Sequence, residues 1–478
     1  MLMPTLRYWL PLLIVSGVLA IELLLDSTSP SAKASSGRIG RFAVALMGLT
    51  AAALVAPYPG EPFIFGRQMM IWDVFAYVTC WIALLAAFFV VLMSERNAVV
   101  SQERTGPYYS LLLLATAGLY VLGTANDLIM IFLAMELVGI PLFVLTGYAV
   151  HRQKSIEAAT KFFLVAVFSS GMLIYGISLI YGAVGSTSLK IVTDPTVLAG
   201  HSSVLLAMGL ALLLIALGYK VGIVPFHLWV PDAFTGAPTP VAAYLSVAPK
   251  IAGLIVLARV FGATIITTSF SFVWTLAIFS ALTTFIGTLV GLRQTNVVRL
   301  LAYSSIAHMG YMLLGVLAAS PDGMAATYLY GSAYLFMNMG AFTLVAAVVN
   351  RTGSPELDAF RGLSKKSPVV SALLVLFLFS LAGLPPLAGF VAKFYVLSAA
   401  YHAGWKLLVL WAALNAVIGA AYYFKIIRAM YLQSSDQEVS VPLNTQERII
   451  LAAASFFTLA IGLAPQLFLE RFHALVLK

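Results

Sequence analysis

Apolar runs long enough to cross a bilayer follow one another through almost the whole chain. They fall near residues 8–25, 40–57, 72–94, 108–124, 127–150, 155–182, 203–224, 240–261, 269–291, 296–318, 323–349, 369–401, 405–432 and 447–470. In hydrocarbon every backbone N–H and C=O must be satisfied internally, and runs of about 20 residues have the length of a spanning helix rather than a barrel strand. The expected fold is therefore an all-α polytopic membrane protein of about 14 transmembrane helices. With 61% hydrophobic and 9% charged residues, the chain has too little polar surface to cover a soluble globule.

Arginine and lysine positions set the topology. If both termini lie on one side, the loops opposite hold sixteen Lys and Arg and the terminal side holds six. By the positive-inside rule both termini then face the periplasm. Arg7 ahead of an apolar stretch, with Ala32-Lys33-Ala34 after it, resembles a secretory leader, but the charge bias argues for a retained first helix. The net charge of +9 does not point to nucleic acid, because the basic residues are scattered and no basic run is interleaved with aromatics. Cys80 is the sole cysteine, and the chain has no GxGxxG, P-loop or HExxH. An internal disulfide and a cysteine-ligated metal or iron–sulfur site are thereby excluded, and any redox cofactor must sit on a partner.

Two of the apolar segments are broken, and their places in the chain correspond. The seventh is interrupted at Gly222, Pro225 and Pro231, and the twelfth at Gly383-Leu384-Pro385-Pro386 and Gly389. Dividing helices 4–13 into two groups of five makes each broken segment the fourth of its group. Five is odd, so the groups insert with opposite topology, as in inverted-repeat transporters. The domain reading is helices 1–3 over 1–104, a first repeat over 105–262, a second over 263–435, and a last helix over 436–478.

Ionisable residues sit inside these runs: Glu136, Lys161, Lys220, Lys250 and Lys393. Each costs about 2.5–3.5 kcal/mol near the bilayer centre before any pairing. Glu136 is the one central acid for four lysines, so ion pairing cannot satisfy them all. Lys161 has a second reading, snorkelling to the nearby loop at Arg152 and Lys154. Desolvation favours a neutral amine, and two such groups about 8 Å apart at an effective dielectric near 20 interact by about 2 kcal/mol, so protonating one can expel a proton from the next. His227 lies seven residues after Lys220, two turns on if the helix resumes. His308 is flanked by Tyr303, Ser304, Ser305 and Tyr311, a polar stripe that suits a relay or a hydrogen bond across helices. Asp127, Asp232, Asp322 and Glu22 lie near helix ends and read as capping or interfacial charges.

The long motifs carry a family resemblance. MELVGIPLFVLTGY with SIEAATKFFLVAVFSSG, then GYKVGIVPFHLWVPDAFTGAPTPVAAYLSVAPK, then LRQTNVVRLLAYSSIAHMGY, then SLAGLPPLAGFVAKFYVL resemble the antiporter-like N subunits of proton-pumping NADH:quinone oxidoreductase, respiratory complex I. The resemblance covers about residues 105–430. It implies fourteen helices with two inverted five-helix repeats and a central hydrophilic axis. By motif, Glu136 matches the helix-5 glutamate, Lys161 the helix-6 lysine, Lys220 the helix-7 lysine, Lys250 the helix-8 lysine and Lys393 the helix-12 lysine. The related M subunits resemble this chain less, having a glutamate at that last position, and the L subunits carry a C-terminal lateral helix with no counterpart here.

The resemblance implies a proton-translocating membrane-arm subunit of a bacterial inner membrane, coupled to quinone reduction elsewhere. It implies no cofactor in this chain, with FMN, iron–sulfur clusters and quinone in other subunits, and neighbouring membrane-arm subunits, the lipid bilayer and protons as partners. Candidate site residues are Glu136, Lys161, Lys220, Lys250, Lys393, His227 and His308. The rival readings are a subunit of a multi-subunit sodium/proton antiporter and a scaffold with an occluded path.

Overall fold

An apolar run with no water beside it closes its own backbone hydrogen bonds, and the chain repeats that solution from end to end. The computed structural model describes the backbone of residues 2–28, 35–57, 61–97, 99–100, 105–200, 204–267, 270–434 and 440–477. The elements begin with α1 (Leu2–Thr28), α2 (Ser35–Val55), β1 (Phe63–Phe65), β2 (Met70–Trp72), α3 (Val74–Ser94), α4 (Thr105–Thr124), α5 (Leu128–Thr146) and α6 (Gln153–Val184). Short helices α7 (Leu189–Val192) and α8 (Pro195–Gly200) lead to α9 (Val204–Val221), α10 (Trp229–Gly236), α11 (Thr239–Thr267), α12 (Phe270–Arg293), α13 (Val297–Leu317) and α14 (Pro321–Thr352). The chain closes with α15 (Leu363–Lys366), α16 (Pro368–Ala382), α17 (Ala388–His402), α18 (Lys406–Leu432), α19 (Thr445–Leu463) and α20 (Pro465–Val476).

Among the described residues twelve helices are long and apolar enough to cross a membrane, and Phe42–Val55 and Pro368–Ala382 are shorter apolar helices. The expected run 447–470 splits, because Pro465 has no N–H with which to continue α19 and instead opens α20. The hairpin β1–β2, with Phe63 opposite Trp72, is a local departure from an all-helical chain and is tied to the α4–α5 turn by a bridge from Met70 to Ala125. The tripeptide Ala32-Lys33-Ala34 lies outside the described residues. Of the acids expected at helix ends, Asp127 caps α5 by accepting from the Ile129 N–H at 2.8 Å. Glu22, by contrast, is fully buried.

Helices α11, α13 and α14 are buried along nearly their whole length and form the central axis. Around them α1, α6, α18 and α19 turn apolar side chains such as Phe168, Leu407 and Val417 outward, as a lipid-facing surface does.

Two helices on this frame end in the same way in mid-sequence. At the end of α9 Gly222 adopts φ +79, its N–H donates to the Tyr219 carbonyl at 3.1 Å, and the Ile223 N–H donates to the Gly218 carbonyl at 3.0 Å. At the end of α16 Gly383 adopts φ +90, its N–H donates to Ser380 at 3.0 Å, and the Leu384 N–H donates to Phe379 at 3.0 Å. Both are Schellman endings, which need a residue free of Cβ in the left-handed region. The first break stays non-helical from Gly222 through Leu228, so α10 is a separate half-helix and not a direct continuation of α9.

Candidate functional site: a buried row of lysines

Lys220 occupies the last turn of α9, beside the first break, and is buried. Its Nζ donates to the backbone carbonyl of Met135 on α5 at 3.2 Å. Glu136 is the next residue on α5, and its charge acts on Lys220, but no ion pair joins them among the described residues. Its carboxylate instead accepts a hydrogen bond from the Ser170 hydroxyl of α6.

Lys250 sits in α11 with no exposure at all. Its Nζ donates to Ser305 Oγ of α13 at 2.6 Å and lies 5.1 Å from the Phe234 ring centre and 5.8 Å from that of Trp229, both on α10. Gly222 packs against the same ammonium, so Lys250 borders the first break from the other side. One turn of α13 thus presents polar atoms inward: Ser305 to Lys250, and His308 to two tyrosines.

His308 is buried, with Nδ1 2.8 Å from the Tyr330 hydroxyl of α14 and Nε2 3.2 Å from the Tyr423 hydroxyl of α18. Tyr423 in turn meets the Ser304 hydroxyl. Both imidazole nitrogens are therefore engaged, one as donor and one as acceptor in the neutral ring, and the charges of Lys393 and Lys250 both act on it.

Lys393 stands in α17 just past the second break and is buried. Its Nζ donates to the carbonyls of Leu381 at 2.9 Å and Ala382 at 2.8 Å, and it lies 5.2 Å from the Tyr311 ring centre. Those carbonyls are the unpaired end of α16, where the helix dipole favours a cation.

The remaining two candidates lie apart from the buried lysines. Lys161 is half-exposed and pairs with Glu157 at 2.6 Å and Asp232 at 3.4 Å, not with Glu136. The reason is depth along α6: Ser170, the partner of Glu136, is nine residues further on, or about 13.5 Å at helical rise. Glu157 lies one turn before Lys161 on the same face. His227 lies in the non-helical break, half-buried, and its buried Nδ1 has no hydrogen-bond partner among the described residues.

Several participants have no local signature in the sequence. Ser170, Tyr330 and Tyr423 reach the row from α6, α14 and α18, and a serine or tyrosine within an apolar helix marks nothing by itself. Arg259 of α11 pairs with Asp73, the cap of α3, and donates to the Ala125 carbonyl at 2.7 Å. Asp232 pairs with Arg299 at 2.8 Å as well as with Lys161 and is not a helix cap. Among the described residues no group of three or more His, Cys, Asp or Glu is arranged to hold a metal.

The NADH:quinone oxidoreductase/Mrp antiporter transmembrane family model matches residues 125–419. The chain is 41% identical over 411 residues to NADH-quinone oxidoreductase subunit N 2 of Solibacter usitatus, covering 85% of this chain and 83% of that protein. A chain of respiratory complex I from Thermus thermophilus superposes with TM-score 0.81 at 31% identity, covering 96% of this chain and 98% of that one. A chain of the Mrp complex from Dietzia shares the fold, with TM-score 0.83 at 22% identity over 99% of this chain and 97% of that one. A buried lysine row on this helical frame and a match along most of its length together place the chain in the NADH-quinone oxidoreductase subunit N family.

Proposed function

We propose that the chain is the proton-translocating membrane-arm subunit of a bacterial NADH:quinone oxidoreductase, moving protons through its interior as quinone is reduced in other subunits. Glu136 and Lys220 form the cytoplasmic half of the route, Lys250 and His308 carry it across the subunit, and Lys393 leads to the outlet. The electron-transferring groups, FMN and iron–sulfur clusters, and the quinone belong to partner subunits. The two five-helix groups, 105–262 and 263–435, act as inverted repeats between the flanking segments 1–104 and 436–478, with both termini on the periplasmic side of the inner membrane.

One observation carries this reading. Among the described residues Lys161, Arg259 and Arg299 each have a carboxylate partner within 4.0 Å, whereas the buried Lys220, Lys250 and Lys393 have none. They are held by carbonyls and one hydroxyl, acceptors that tolerate either an ammonium or an amine. A cation meant only for structure is paired, because burying it unpaired is expensive. An amine meant to change charge is better left without a fixed counter-ion.

Replacing Lys220 by methionine tests the route. The complex is expected to assemble and to lose proton pumping together with the quinone reduction coupled to it. Normal pumping by that variant ends the assignment. A second reading, subunit of a sodium/proton antiporter, has the shared Mrp fold in its favour, and it requires sodium-driven proton movement in vesicles supplied with neither NADH nor quinone.

A further inference from the structure

Half-helix α10 has eight residues, too few to hold a helix in isolation, so its position depends on what grips it. One flank is fixed to α6 by packing: Trp229 stacks on Phe162 with ring centres 4.4 Å apart at 10°, and Gly236 sits so close to α6 that an added Cβ would fall 2.2 Å from that of Ala158. The inner face supplies the Trp229 and Phe234 rings that enclose Lys250. The polar link outward is Asp232. Its Oδ1 accepts from Arg299 of α13 at 2.8 Å and its Oδ2 from Lys161 of α6 at 3.4 Å, while Lys161 has a nearer partner in Glu157 at 2.6 Å. A single carboxylate is thus shared by cations from the first and the second five-helix group, and each cation-to-carboxylate contact has a competitor.

We propose that Asp232 is a positioning residue for the proton route: with Trp229 anchored on α6, its division between Arg299 and Lys161 sets the roll of α10 about that flank, and a shift of the carboxylate from one cation to the other moves the Phe234 ring against Lys250 and opens or closes the break at His227. The ion pairs are suited to exchange. All three side chains are about a third exposed or more, at 31% for Asp232, 35% for Arg299 and 51% for Lys161, and pairs so exposed are weakly held. Glu157 keeps Lys161 paired when Asp232 turns to Arg299, and in the opposite arrangement Arg299, 35% exposed, turns to solvent. The inference rests on the proton route proposed above, since without it the enclosure of Lys250 has nothing to gate.

The test uses the intact complex in its membrane, with D232N, D232E and the charge-exchanged double variant D232R/R299D, and with Lys220→Met alongside. Pumping is measured together with amide hydrogen exchange over residues 222–237. D232N is expected to lower pumping by about fivefold, the ratio set by roughly 1 kcal/mol, and to speed exchange across the break. D232E and the double variant are expected to restore both. Two outcomes overturn the proposal: D232N pumping at the parental rate while Lys220→Met does not, or D232N losing activity with exchange over 222–237 unchanged. If D232N does not assemble, D232E and the double variant decide, and failure of either assembled variant to pump rejects the role. Parental pumping by Lys220→Met would instead remove the route itself, which keeps the two failures apart.

Discussion

The ammonium of Lys393 stands 2.8 Å from the carbonyl oxygen of Ala382, so a cation on α17 closes the open end of α16. Two opposing terms meet there. The lysine makes hydrogen bonds of the charged type, worth about 1.5–3 kcal/mol each, yet its burial without a counter-ion costs several kcal/mol. These nearly cancel, so Lys393→Met is expected to change the thermal stability of the complex by no more than about 1 kcal/mol while abolishing pumping. Scanning calorimetry and dye-monitored acidification of vesicles read the two quantities separately. A large loss of stability would make Lys393 a structural residue.

The two broken helices share a more exacting requirement at Gly222 and Gly383. An L side chain in the left-handed region costs roughly 1–2 kcal/mol. At Gly383 an added Cβ would also lie 3.0 Å from the Lys393 stem, and at Gly222 it would lie 2.8 Å from Val230. Gly383→Ala is therefore expected to lower the melting temperature of the complex and to displace Lys393, cutting pumping. Retention of parental melting and pumping would show that the break does not depend on the glycine.

Lys220, Lys250 and Lys393 were legible in the sequence because a charge deep inside a spanning run has no inexpensive explanation, which Lys161 near its loop does have, and the breaks were legible because Gly and Pro interrupt helices wherever they fall. Their three-dimensional partners were not. Whether Glu136 meets Lys161 depends on how deep each lies along α5 and α6, which side-chain chemistry does not encode, and α6 proves long enough to separate them. Residue spacing suggested that Lys220 and His227 share a helical face, but the Schellman ending at Gly222 unwinds the interval. Tyr330 and Tyr423 come to His308 from helices 22 and 115 residues away along the chain, beyond any local pattern.

Those two tyrosines lead to a further expectation. Tyr423→Phe removes the Nε2 partner of His308 and the partner of Ser304 while leaving the ring in place, so packing is preserved. A net hydrogen bond of about 1 kcal/mol corresponds to roughly a fivefold loss of rate if His308 works in the relay. Assembly is expected to be normal and pumping slowed by about that factor. Should Tyr423→Phe pump at the parental rate, the His308–Tyr423 contact is structural.

Ser305 offers the narrowest test, because it is the one hydrogen-bond partner described for the fully buried Lys250. Ser305→Ala keeps the volume of the site nearly unchanged and removes an acceptor from a group that has three protons to place. Leaving a buried donor unsatisfied costs about 1–3 kcal/mol, more when it is charged, so the cost falls more heavily on the ammonium form than on the amine. The substitution therefore biases Lys250 toward the neutral state, and pumping is expected to fall by about tenfold for each 1.4 kcal/mol of bias. Ser305→Thr keeps the hydroxyl, so it is expected to pump far better than the alanine variant despite the added methyl. Activity that tracks side-chain volume and ignores the hydroxyl, with threonine worse than alanine, would mean that Lys250 needs the space and not the acceptor.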